Sequence, residues 1–261
     1  MRDLLVVIFI FAAVYYSFKK PYLGVCAWIW IALVAPAEWA FGFSQHLRIN
    51  LTIVLITIVS YIFIQKDKSR YFGNQGIYIF IFWFLALIST LFHMKVDEAL
   101  VWFEFTKFTK VIALYLFVGL TIKKRLHIDT FIWAIVLGLS SYAAMEAVKF
   151  ILSLGSYRIV GVAGVIQDRN DLAVAINMCI PLIAYLWSVS EHKQLKLALF
   201  GLIILNIVSV IGTYSRGGFI GLIILAMAMW LKSKRKLSLV LLAVILLPVL
   251  YVNAPDSWKE R

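Results

Sequence analysis

Apolar runs of 15 to 25 residues, separated by short polar breaks, set the rhythm of this chain. The runs fall at 4–18, 22–42, 50–65, 76–93, 108–122, 128–152, 171–190, 196–213, 218–232 and 237–253. Most approach the ~17–25 residues that carry an α-helix across a bilayer. The pattern predicts an all-α, polytopic transmembrane helical bundle of about ten helices, with residues 1–261 as a single membrane-embedded domain. The run 22–42 is interrupted by Pro36 and Glu38. Segment 96–107 puts Ala99, Trp102, Phe103 and Thr106 on one side at helical spacing. It either lies in the interface plane or begins the next span.

Composition agrees: the chain is 63% hydrophobic and only 15% charged, with mean hydropathy +0.94, whereas soluble domains run near half apolar and a quarter charged. No cleavable leader is expected, because the first run leads into Phe18-Lys19-Lys20-Pro21 rather than a small-residue cleavage site. Cys26 and Cys179 both lie in apolar runs and define neither a disulfide frame nor a metal-ligand spacing.

A net charge of +12 raises the question of nucleic acid. The cations instead form tight clusters between apolar runs, which is how positive-inside topology looks. Lys19/Lys20, Lys66/Lys68/Arg70, Lys123/Lys124/Arg125, Lys193/Lys196 and Lys232/Lys234/Arg235/Lys236 fall on one side, fourteen in all. The other side carries eleven, mostly single residues among polar or aromatic neighbours. The clusters are therefore expected in the cytoplasm. The loop 153–170, the turn at 213–217 and the C-terminal tail are expected to face outward, as are both ends of the chain. No Gly-rich phosphate loop, His-Glu-x-x-His or Cys-x-x-Cys occurs.

Three outward segments carry chemistry-capable side chains. They are SYRIVGVAGVIQDRNDLA (156–173), GTYSRGGF (212–219) and the terminal PDSWKER. In the first, Asp168, Arg169, Asn170 and Asp171 are consecutive, and Asn170 or Asp171 is expected to cap the following helix. An arginine at a span edge often snorkels to headgroups. Arg216 departs from that habit, since it lies in a very short polar turn beside two glycines. Guanidinium offers a rigid fork of donors that stays charged and suits phosphate or diphosphate oxygens. Several single arginines on one outer face point to a lipid diphosphate ligand.

The opening MRDLLVVIFIFAAVYYSFKKPYLGVCAWIWIALVAPAEWAFGF, the stretch YRIVGVAG…DRNDLAVAINMCIPL and the turn GTYSRGG resemble the O-antigen ligase/polymerase superfamily. The closer resemblance is to its branch of O-glycosylation ligases associated with exosortase systems. It runs over essentially the whole chain, with a branch-specific part at 1–155 and the start of a ligase-like core at 156–261.

The resemblance implies a bacterial inner-membrane glycosyltransferase. A glycan on undecaprenyl diphosphate would be the donor, and a lipid, sugar or protein hydroxyl the acceptor, with no metal or other cofactor and no nucleic acid. Arg216, Arg158 and Arg169 would hold the diphosphate, supported by Ser215, Asp168, Asn170 and Arg261. No residue here is assigned to catalysis itself. A histidine in a large outer loop activates the acceptor in such enzymes, and His46 beside Arg48 is the one stand-in in this sequence.

Departures from the family pattern are Gly161-Val162 where relatives have Gly-Pro, Arg169-Asn170 where they have paired asparagines, and Pro36-Ala37-Glu38 in the early Pro-His segment. The family also continues past the point matching Arg261, so this sequence reads as a fragment, a split-gene product or a degenerate copy, with activity expected to need that outer loop.

The rival from another class is a polysaccharide or small-solute transporter, or a membrane subunit of an export complex. Its candidates for an intramembrane ionisable site are Glu38, and Glu146 with Lys149, which at i, i+3 pair on one helix face. Nucleophilic catalysis by Ser215 finds no histidine nearby in the sequence.

Overall fold

The computed structural model describes residues 2–36, 47–66, 73–92, 97–161, 166 and 168–232. Among the described residues all regular structure is helical: α1 (Arg2–Lys19), α2 (Pro21–Val34), α3 (Ile49–Phe63), α4 (Gly73–Leu91), α5 (Glu98–Thr121), α6 (Arg125–Leu152), α7 (Arg169–Val189), α8 (Lys193–Gly212) and α9 (Arg216–Lys232). The expected run 237–253, with Glu38, His46 and Arg261, lies outside the described residues. Of segment 96–107, residues 98–107 are the first part of α5, which begins where the Asp97 carboxylate accepts the Ala99 N–H at 3.0 Å.

α6, α7 and α8 are long and apolar enough to cross a membrane. α7, with 21 residues, is about 31 Å long at ~1.5 Å per residue, matching a hydrocarbon core of ~30 Å. Burial follows the same logic. Large apolar side chains such as Phe11, Phe63, Phe80 and Met178 are exposed, while Ser17, Thr57, Ser60, Ser140, Asn206 and Ser209 are buried. A surface in water would invert that arrangement. Buried hydroxyls bond back into their own helices where they can, as Thr57 does to the Ile53 carbonyl at 2.6 Å and Thr121 to that of Phe117 at 2.7 Å.

The chain divides into two compact units, one made of Met1–Ile29 with Trp39–Phe131, the other of Trp30–Glu38 with Ile132–Arg261. In the first unit α1 packs on α3 and α4 on α5. Thr57 of α3 sits so close to Gly24 of α2 that a Cβ there would overlap its side chain. The Trp83 indole donates to Thr109 at 3.1 Å between α4 and α5.

In the second unit α7 is the central element, packed on both α8 and α9. Its buried face is Leu172, Ile176, Cys179, Ile183 and Leu186, at the three- and four-residue spacing of one helical stripe. Val136, Leu139 and Ala143 of α6 and Leu199 and Val210 of α8 complete this core. A polar link crosses it. The Ser140 hydroxyl of α6 donates to the Asn206 carboxamide of α8 at 3.1 Å and lies 3.2 Å from the Cys179 sulfur of α7. The Asn206 NH₂ is satisfied by the Leu202 carbonyl at 2.7 Å.

Candidate functional site

α8 turns into α9 through three residues, Thr213–Ser215. Thr213 donates to the Val210 carbonyl at 2.6 Å and accepts the Ser215 N–H at 3.2 Å. Tyr214 takes a left-handed backbone, φ +52°, a conformation that costs a non-glycine residue about 1–2 kcal/mol. Its side chain is anchored on both sides: the hydroxyl donates to the Gly155 carbonyl and the ring lies edge-on to Phe150 at 6.0 Å. Ser215 then caps α9, its hydroxyl oxygen accepting the Gly218 N–H at 3.0 Å.

α7 starts beside this turn. Asp168 is its cap, in extended backbone, with its carboxylate accepting the Asn170 N–H at 2.7 Å. The capping expected of Asn170 or Asp171 is corrected accordingly. The Asn170 side chain is left free to bond elsewhere, and its carboxamide oxygen accepts the buried Ser215 hydroxyl at 2.7 Å. Arg169, half-buried, extends one guanidinium nitrogen to the Tyr214 carbonyl at 3.5 Å, the outer limit of a hydrogen bond. Two turns deeper, the Asn177 amide donates to the Gly218 carbonyl at 2.8 Å, where α9 lies so close to α7 that glycine is required.

The residues that follow α6, up to Val160, close over the same end. The Ile159 N–H donates to the last carbonyl of α8, that of Gly212, at 2.9 Å, and the Ile159 side chain is fully buried. Tyr142 donates to the Val160 carbonyl at 2.6 Å. Glu146, almost entirely buried, accepts Lys149 at 2.6 Å and the Tyr157 hydroxyl at 2.7 Å. That bond, then desolvation, raises the Tyr157 phenol above its ordinary value; burial does the same to Tyr214. The Glu146–Lys149 pairing at i, i+3 is present, and Glu146 serves to hold the loop.

Residues drawn from three separate stretches of sequence thus meet at one end of the second unit. Arg158 and Arg216 are exposed there and have no ion-pair partner among the described residues. Arg158 is fixed in the chain between Tyr157, tied to Glu146, and Ile159, tied to Gly212. Arg169 and Arg216 are the first residues of α7 and α9, where unpaired backbone N–H groups and the positive end of the helix dipole repel a cation and attract an anion. Asp168 is exposed, and Ser215 is buried and doubly bonded, so it positions its neighbours rather than presenting a nucleophile.

Tyr157 and Tyr142, which fasten the loop, were not singled out by sequence reasoning. The available signal was a tyrosine directly before Arg158, in a segment otherwise apolar.

No curated protein and no solved structure matches the chain. A known family matches residues 1–191, a stretch that takes in Arg158 and Asp168–Asn170 and ends before Ser215 and Arg216. That family is described only as one of unknown function, DUF5935, and since the match spans well over half of the sequence, the chain belongs to it.

Proposed function

We propose that this is a multi-pass protein of the bacterial inner membrane, with about ten helices, that transfers a glycan from undecaprenyl diphosphate to an acceptor hydroxyl on the periplasmic side. It would act as an O-antigen ligase-like or O-glycosylation ligase-like enzyme. The observation that supports the reading is that Arg169 and Arg216 open α7 and α9, whose starts the Ser215–Asn170 bond ties together, while Arg158 precedes Ile159, which is bonded to the end of α8. Such an end suits a doubly charged leaving group: guanidinium forks match its oxygens, and helix N-termini add oriented N–H groups. Stabilising charge as it develops on a departing diphosphate lowers the barrier directly. Removing the acceptor proton is general-base catalysis, worth ~10²–10⁴-fold, which the resemblance assigns to an outer-loop histidine.

Arg216 is the principal anchor in this reading, with Arg158 and Arg169 in support and Ser215, Asp168 and Asn170 holding them. In cells carrying the complete gene, Arg216→Ala should abolish transfer and let lipid-linked glycan accumulate while the protein level in the membrane stays normal. Arg216→Lys should restore only part of the activity, because the ammonium lacks the planar fork. Arg158→Ala and Arg169→Ala should give graded losses. Transfer at the parental rate by Arg216→Ala would refute the assignment, leaving the turn as a helix junction with a snorkelling arginine.

A further inference from the structure

Three chain junctions of the first unit come together through specific contacts. The Ser60 hydroxyl, in the last turn of α3, donates to the Phe18 carbonyl at the end of α1 at 2.6 Å. The Gln65 amide, just past α3, donates to the Leu120 carbonyl at the end of α5 at 2.8 Å. Tyr22, in the first turn of α2, stacks on His127, in the first turn of α6, with ring centroids 3.8 Å apart and planes within 8°.

These contacts gather Lys19 and Lys20 from one junction, Lys66 from the second, and Lys123, Lys124 and Arg125 from the third. Lys20 and Lys124 both act electrostatically on the His127 ring. Lys19, Lys20, Lys66, Lys124 and Arg125 are all exposed.

The same turns expose large apolar and aromatic side chains. Tyr15, Tyr16 and Phe18 stand on the last turn of α1, Phe63 on the last turn of α3 and Leu126 on the first turn of α6. Lys19 lies over the Tyr15 ring, 4.3 Å from its centroid, and bonds its hydroxyl. Cations at the level of aromatic side chains are the composition of a membrane–water boundary. A soluble polyanion would meet only the cations; a phospholipid meets both, its phosphate among the lysines and its acyl chains along the aromatic edge. We propose that this end of the first unit binds anionic phospholipids, taking their phosphodiester headgroups between Lys20, Lys66, Lys124 and Arg125.

The test is lipid retention by the full chain, purified in detergent and titrated with phosphatidylglycerol or phosphatidylcholine, read by native mass spectrometry. The parent should retain phosphatidylglycerol in preference. Combined Lys20→Gln, Lys66→Gln, Lys124→Gln and Arg125→Gln should lower that preference about tenfold or more, since each cation near an anionic surface contributes on the order of a fivefold gain. Removing two cations elsewhere in the unit, with Lys107→Gln and Lys110→Gln, should leave the preference in place. Thermal unfolding of each variant checks that the fold is kept. As a readout needing no variant, raising salt should weaken phosphatidylglycerol binding to the parent while leaving phosphatidylcholine unchanged. Equal retention by the quadruple variant and the parent overturns the proposal. So does an equal loss in the Lys107/Lys110 variant, which would make net charge the cause. Displacement of phosphatidylglycerol by equimolar inorganic phosphate overturns it too, making free phosphate the ligand.

Discussion

Gly217 and Gly218 are neighbours in the first turn of α9, yet alanine at the two positions should act with opposite signs. A Cβ on Gly217 meets no described atom within 4 Å. A Cβ on Gly218 would fall inside 3.0 Å of the Ala173 Cβ and 3.2 Å from both the Cβ and the hydroxyl of Ser215. Ordinary carbon contacts are ~3.5–4.0 Å, so α9 must move away from α7 by at least ~0.5 Å. Overpacking of this kind costs about 1–3 kcal/mol. The shift also stretches the bond from Asn177 to the Gly218 carbonyl, 2.8 Å in the parent; a buried bond lost outright would add about 1–3 kcal/mol. Alanine's better helix propensity returns about 1 kcal/mol.

Gly218→Ala should therefore destabilise by about 1–5 kcal/mol, and Gly217→Ala should be neutral or stabilising by up to ~1 kcal/mol. Ala173→Gly, which removes the opposing methyl, should recover much of the loss when combined with Gly218→Ala, although alone it destabilises. Reversible unfolding in mixed micelles by added SDS measures all four proteins. If the two single glycine replacements behave alike, or if Ala173→Gly gives no recovery, the close approach of α7 and α9 is wrong.

Orientation is open to cysteine labelling within the second unit. Cysteine at exposed Ser156 or Gly217 should react with an impermeant maleimide from the periplasm, whereas cysteine at exposed Glu191, beyond the other end of α7, should react only after permeabilisation; the reverse pattern overturns the outward site. Tyr157 gives a pH signature. Its folded-state pKa is raised, by the bond to Glu146 first, so its contribution to stability is full below the ordinary tyrosine value of 10.0 and is lost as pH rises through the higher folded value. Ultraviolet difference titration of the parent against Tyr157→Phe should show one phenol ionising later than the bulk of the tyrosines, and a difference spectrum with ordinary midpoint would remove the Glu146–Tyr157 bond.

The helices were legible because each buries or exposes a long apolar run, and in lipid such a run has few alternatives to helix. Segment 96–107 was ambiguous since Glu98, Glu104 and Lys107 dilute the apolar signal of its residues 98–107, which prove to open α5. The start of α7 lies two residues before the expected position for a different reason. Asp168, Asn170 and Asp171 are all good caps, and the choice is made by a residue 45 positions away, since the Ser215 hydroxyl claims the Asn170 carboxamide. The arginines stood out by residue type and by their polar turns. Tyr157 did not, and Glu146 stood out only as a partner of Lys149, because the Glu146–Tyr157 bond joins a helix to a loop 11 residues on. The contact of Gly218 with Ala173 left no mark in the sequence beyond a glycine pair, and that pair could not say which member faces α7.

The Ser140–Asn206 link has a consequence for how α8 can move. Between apolar helices in lipid there is little to resist spinning about the long axis, since one greasy face packs about as well as another. Asn206 breaks that degeneracy: turning α8 by a single residue, roughly 100°, would carry its carboxamide out of reach of Ser140 and into hydrocarbon. The azimuth of the whole helix is thereby set within its C-terminal half. Its last turn is where Gly212 receives the Ile159 N–H and where the chain departs toward Tyr214, Ser215 and Arg216. A hydrogen bond about two turns inside the end of α8 therefore fixes the compass bearing at which the Arg216 turn emerges. Ser140→Ala, which touches none of the arginines, should loosen that bearing rather than remove any group from it.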